Sequence, residues 1–128
     1  KKIPFKSKFF DYVVGWNVSY YMENEDDIIE DHIKELSRVV KKNGNIICSF
    51  PKKNCFLFDK AIKVKKNYVK IKSDYFKIRN EQIMYRFNYR QELQRLFQKY
   101  FKEFKFSELN QDCFGLNYNF IIFVAKKK

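Results

Sequence analysis

Glycine is scarce: Gly15, Gly44 and Gly115 are the only ones in 128 residues, so no G-x-G turn of the kind that wraps a nucleotide phosphate is present. Cysteine and histidine are equally thin. Cys48, Cys55 and Cys113 are odd in number and lack a C-x-x-C spacing, and His32 is the sole histidine, which leaves no plausible zinc set and no disulfide framework. Reduced thiols in a cytoplasmic setting fit this usage. Cys48 alternates into an apolar run and reads as a small buried hydrophobe rather than a nucleophile. Long apolar stretches are absent as well. The longest candidate, Phe120 to Ala125, has strand length and falls far short of the roughly 20 residues that cross a bilayer. Neither an initiating methionine at Lys1 nor a charged-then-apolar leader is found, so a piece of a longer protein is expected. Arginine, the residue suited to bidentate phosphate contacts, is sparse. The formal charge of +12 is carried mainly by scattered lysines, which gives only weak reason to expect nucleic acid as a partner.

What the chain does have is order. FFDYVVGWNV (Phe9 to Val18) is nearly all apolar, with Asp11 its single charge, and predicts a strand buried on both faces. It ends on Gly15, Trp16 and Asn17, a mix suited to lining a cleft. The acidic cluster Glu23 to Asp27 predicts a helix start. Ile29, Ile33, Leu36 and Val40 then recur on one helical stripe, with Lys34, Lys41 and Lys42 outside. Gly44 is expected to stop that helix in a left-handed conformation. NIICSF follows at once and predicts a second strand closed by Pro51.

Two apolar strands joined through an amphipathic helix predict a parallel crossover and an α/β class. Further on, Phe56 to Val64 is expected as a short helix, Tyr68 to Ile78 as a strand, and Tyr89 to Phe101 as a helix. Phe104 to Leu109 and Tyr118 to Ala125 should form an antiparallel pair joined by a loop containing Gly115. His32 is expected to be solvated on its helix.

The succession of IPF, FDYVV and ELSRVVKKNGNIICSF, then a variable stretch, a helix and a final strand pair, resembles the second half of class I S-adenosylmethionine-dependent methyltransferases, the seven-stranded Rossmann-like family. The resemblance implies that residues 1–128 are a single partial domain running from the fourth strand onward, without the half that carries the glycine-rich turn and the ribose-binding acid. It implies S-adenosylmethionine as cofactor in the complete domain, Trp16 and Asn17 on the cofactor side of the cleft, and Tyr20, Tyr21, Ser49, Phe50 and Pro51 near the substrate. It names no catalytic residue and no metal ligand. Methyl transfer to a small metabolite or glycan-type precursor is the activity implied. Two alternatives stay open: a basic RNA-binding module or RNA methyltransferase fragment, and a non-catalytic remnant or interaction subunit pairing through an open fourth-strand edge. Beside the cleft roles, Trp16 also reads as core and Asn17 as a turn residue.

Overall fold

The computed structural model describes residues 2–128. The main sheet has the order β1 (Phe10–Gly15), β3 (Val40–Pro51), β8 (Leu116–Lys127), β7 (Phe101–Cys113). β1 runs parallel to β3, and the other two pairings are antiparallel. α1 (Ile29–Val39) bridges β1 and β3, so the predicted strand–helix–strand unit is present with both strands pointing the same way. A second, smaller sheet is wholly antiparallel, in the order β2 (Tyr21–Met22), β6 (Ile83–Tyr85), β5 (Tyr68–Lys70), β4 (Ile62–Lys65). α2 (Arg90–Phe97) leads from it back into the main sheet. Among the described residues no helix is long and apolar enough to cross a membrane.

The core lies between the main sheet and the helices. Ile46, Cys48 and Phe50 on β3 sit opposite Ala125, Phe123 and Ile121 on β8, and all six are buried. Phe123 is the centre of an aromatic cluster: its ring is 4.8 Å from Phe97 of α2, 5.7 Å from Phe106 and 6.2 Å from Phe50. The helical stripe behaves as its spacing requires. Ile29, Ile33 and Leu36 are buried, and apolar area removed from water on this scale is the main stabilising term of the fold.

Several expectations are corrected. Phe9 to Val18 is not a strand buried on both faces. β1 is an edge strand paired only with β3, and Tyr12 and Val14 are 66 % and 60 % exposed on its uncovered side. Glu23 to Asp27 do not open the helix. The Asp27 carboxylate accepts the N–H groups of Glu23 (2.7 Å) and Asn24 (3.2 Å), and the Asn24 side chain accepts those of Asp26 and Asp27. Side chains that satisfy the local backbone this way close a turn in place of a helix. α1 starts only at Ile29, whose N–H is donated to the Tyr68 hydroxyl at 2.9 Å.

Gly44 does not stop α1 either. Val40 is already extended (φ −78°, ψ 135°) and buried, and it starts β3 without a loop. Lys8 and Phe9 donate their N–H groups to the Arg38 and Val39 carbonyls at 2.8 Å, so the incoming chain satisfies two of the orphan carbonyls at the helix end. Gly44 instead lies inside β3, where a Cβ would stand 2.8 Å from the Asp11 carbonyl oxygen and 2.9 Å from Val40 Cγ1. Glycine permits the close approach of β1 to β3.

In the middle of the chain the short helix expected over Phe56 to Val64 is reduced to a 3₁₀ turn at Phe56–Phe58, and Ile62–Lys65 is strand. The strand expected from Tyr68 to Ile78 is only Tyr68–Lys70. The helix expected from Tyr89 to Phe101 spans Arg90–Phe97. The final antiparallel pair is present and longer than expected. Cys113 pairs with Leu116 across Phe114 (φ 55°) and Gly115 (φ 81°), the positive-φ pair that matches a two-residue hairpin turn to strand twist. His32 is half-buried rather than solvated. Burial lowers its pKa, and its Nε2 has no hydrogen-bond partner among the described residues.

Candidate functional site

Parallel strands present their carboxyl ends on one side, and in open α/β sheets that side holds the ligand crevice. Here the ends are Gly15 of β1 and the Ser49–Pro51 tip of β3. Gly15 is buried, and a Cβ on it would collide with the Ser19 hydroxyl and stand 3.3 Å from the Cys48 sulfur. The chain can therefore turn tightly over the tip of β3. Asn17 makes the turn in a left-handed conformation (φ 54°), which Asn tolerates better than most residues.

Asn17 is held from several sides. Its N–H donates to Ser49 Oγ at 2.7 Å, Ser49 Oγ donates to Asn17 Oδ1 at 3.0 Å, and Asn17 Nδ2 donates to the Tyr118 hydroxyl at 2.6 Å. The three residues come from the end of β1, the end of β3 and the start of β8, and together they clasp the tips of three strands. Ser49 is fully buried, so its hydroxyl needs these partners to offset the loss of water.

Trp16 precedes the clasp and is 46 % exposed. It follows the last residue of β1, an edge strand, with close to half of its surface open to solvent. Tyr20 and Phe50 are in the core. Tyr20 is 2 % exposed and lies 6.0 Å from Phe50 and 6.2 Å from Phe120, ring to ring, and burial pushes its phenol pKa up. Phe50 points under the helices toward Phe97 and Phe123. Tyr21 is half-buried beside Tyr20, and its hydroxyl accepts a hydrogen bond from Arg79 Nε at 3.1 Å. Pro51 is buried at the last position of β3. The fold thus brings Trp16, Asn17 and Ser49 to one strand-end mouth, sets Tyr21 and Pro51 next to it in the chain path, and packs Tyr20 and Phe50 behind it.

Three participants were not picked out from the sequence. Tyr118 lies 101 positions from its partner Asn17, a separation that leaves no local signal. Ser19 is buried with an Oγ that has no hydrogen-bond partner among the described residues. Arg79 joins Tyr21 to buried Asp74, whose Oδ2 is 3.3 Å from the guanidinium and also accepts the N–H groups of Ile78 and Arg79. A buried carboxylate with this many donors is adequately compensated, and nothing local in the sequence marks Arg79 for this role. Cys48 beside the mouth is inert, its thiol pushed up to about 12 by burial.

No protein-family model matches the chain, and no curated protein is similar to it in sequence. Solved structures are similar to it in shape. An S-adenosylmethionine-dependent methyltransferase of Thermotoga maritima, described as a possible histamine N-methyltransferase, superposes with a TM-score of 0.64 at 24% identity over 99% of this chain and 60% of its own. An S-adenosylmethionine-dependent methyltransferase of Methanosarcina mazei gives 0.66 at 19% over 98% and 63%. A protein of Pyrococcus horikoshii gives 0.66 at 18% over 99% and 56%. The chain spans about three fifths of the length of the structures it matches, and over that span it has the Rossmann-like fold of S-adenosylmethionine-dependent methyltransferases.

Proposed function

We propose that this chain is the second half of an S-adenosylmethionine-dependent methyltransferase whose acceptor is a small metabolite or a glycan-type precursor. The observation that carries the reading is the clasped mouth at the carboxyl ends of β1 and β3, with Trp16 standing free beside it. The uncovered edge of β1 and its exposed Tyr12 and Val14 supply the place where the rest of such a domain would pack. The residues present fit one wall of a cofactor site. Trp16 has a free aromatic face of the kind that takes an adenine ring, whereas no glycine-rich turn for the methionine end is in the chain.

When bound, S-adenosylmethionine supplies an electrophilic methyl group, and the protein's share of such chemistry is largely approach and orientation. Asn17 and Ser49 do not face a ligand with free polar groups. They fix the turn that follows Trp16, and Tyr118 braces them from β8. Tyr21, tied to Arg79, lines the acceptor side in this reading, with buried Ser49, Phe50 and Pro51 supporting it from behind. Titration of the complete protein with S-adenosylmethionine tests it. Measurable affinity that falls about tenfold in Trp16→Ala, the loss of about 1.4 kcal/mol from one stacking contact, is the expected result, and no affinity in the parent protein would end the reading.

A second reading has its own observation. The apolar row Val14, Ile47 and Val124 across the open face also suits an interaction subunit that covers this face with another chain.

A further inference from the structure

Three cavities of the cap and α2 region are neighbours through shared lining residues. The first, about 640 Å³, begins at Lys52 and Lys53 just beyond β3 and reaches Tyr89 and Arg90 at the start of α2. It shares Asn88 with the second, about 260 Å³, lined by Lys63, Lys66 and Arg86. The second shares Lys66, Asn67 and Tyr68 with the third, about 400 Å³, which ends at Arg95. The middle section of this trough is lined by Lys63, Lys65, Lys66 and Arg86 with no carboxylate, while the third sets Lys66 and Arg95 beside Glu30 and Glu92.

Of the carboxylates at the two ends, Glu108 is neutralised by an ion pair and Glu92 is held by neutral donors. Glu108 pairs with Lys52 at 2.8 Å, and Glu92 accepts the Asn88 N–H (2.8 Å) and the Asn67 side chain (3.1 Å). Glu30 also lines the third section. Among the described residues, Lys63, Lys66 and Arg86 enter no ion pair. Two of the guanidinium groups rest over aromatic rings: Arg86 over Phe58 at 5.8 Å and Arg90 over Phe106 at 5.2 Å. A guanidinium partly positioned by a ring loses less freedom on meeting a phosphate than a free one. Tyr89, 59 % exposed, adds a free ring to the first section.

We infer that this trough binds single-stranded nucleic acid, with Lys63, Lys66 and Arg86 on consecutive phosphates and Tyr89 under a base. A row of cations that tracks a backbone, with an aromatic platform beside it, is what sequence-tolerant single-strand binding uses. A duplex keeps its bases stacked inside and would leave Tyr89 idle. The trough is built from residues of this chain alone, so the inference holds or fails independently of methyl transfer.

Diffuse charge is the rival explanation, and the opposite end of the sheet provides the control. There Lys8, Lys42 and Lys127 line a basic cavity of about 370 Å³ with no exposed ring in it. Fluorescence anisotropy with labelled oligouridylate and oligothymidylate, between about 50 and 200 mM salt, separates the two. The triple variant Lys63→Ala, Lys66→Ala, Arg86→Ala should lower the log–log salt slope by about two, at about 0.7 per lost single-strand phosphate contact. The variant Lys8→Ala, Lys42→Ala, Lys127→Ala should leave it unchanged. Should the first variant melt early by circular dichroism, Lys63→Gln with Lys66→Gln, both on the surface hairpin, replaces it with an expected drop of about 1.4. Equal losses in trough and control variants, no binding by the parent protein, or binding of uridine diphosphate as tight as that of the oligonucleotides would each overturn the inference.

Discussion

The two faces of the main sheet are built from equally apolar strands and meet opposite fates. On one, Ile46, Cys48, Phe50, Phe123 and Ala125 lie under α1 and α2 and are sealed from water. On the other, Val14, Ile47 and Val124 form a row in which Val14 is exposed and the other two are half-buried, with Tyr12 beside them. Strand composition records only that a face is apolar. Whether anything covers it is decided by the elements packed above, and here only one face has them. The contrast supports a chain that needs further cover.

The comparison breaks first at Phe123. Phe123→Ala removes the centre of the covered face and should cost about 3–5 kcal/mol in urea unfolding; a loss below about 1 kcal/mol would mean that the helices do not seal it. Next comes the seam between β1 and the rest. Gly44→Ala forces a methyl group against the Asp11 carbonyl and Val40, and overpacking of this kind should cost about 1–3 kcal/mol, read by the same unfolding curve. An unchanged midpoint would show that β1 is not held tightly.

The open face should respond in the other direction. Tyr12→Ser with Val14→Ser should leave stability within about 0.5 kcal/mol while reducing self-association of the chain in light scattering. The parent chain is expected to dimerise or aggregate, and a sharp monomer in the parent would remove the premise. The smallest effect belongs to a polar strap on the outside of α1. Glu35 accepts the Ile3 N–H at 3.0 Å and bonds to Arg38, and the Arg38 contact holds its pKa at about 2 against an ordinary 4.5. A depressed carboxylate pKa contributes stability that is fully present above about pH 4.5 and is lost as pH falls toward 2. Melting temperatures of parent and Glu35→Gln protein should therefore differ at neutral pH and converge across that window.

The parts of the fold legible from sequence were those written in local periodicity. The stripe of α1, the apolar runs of β1 and β3, and the closing hairpin all carry a repeat of their own. Gly44 misled because a glycine after a helical stripe has two readings. The one that applies, close packing of β1 on β3, depends on a strand more than thirty residues upstream. Glu23 to Asp27 misled because the carboxylates that favour a helix start can also cap their own turn. The small sheet was illegible for another reason: β2 pairs with β6 across most of the cap, and strands of two to four residues have too few positions to show alternation. At the candidate site, Trp16 and Asn17 were singled out by strand-end composition and Ser49 by the family resemblance, and the three lie together at the strand ends. Tyr118 was not, since nothing near it in the chain announces a partner at the far end.

That distance has a consequence for synthesis. The brace between Asn17 and Tyr118 joins β1 to β8 across 101 positions of the chain, and closing so long a loop is slow and comes late. While the ribosome is still short of β8, the earlier strands can pair and α1 can dock, but the mouth has no brace. A translation product interrupted upstream of Tyr118 would carry every other residue of the site and still lack its shape.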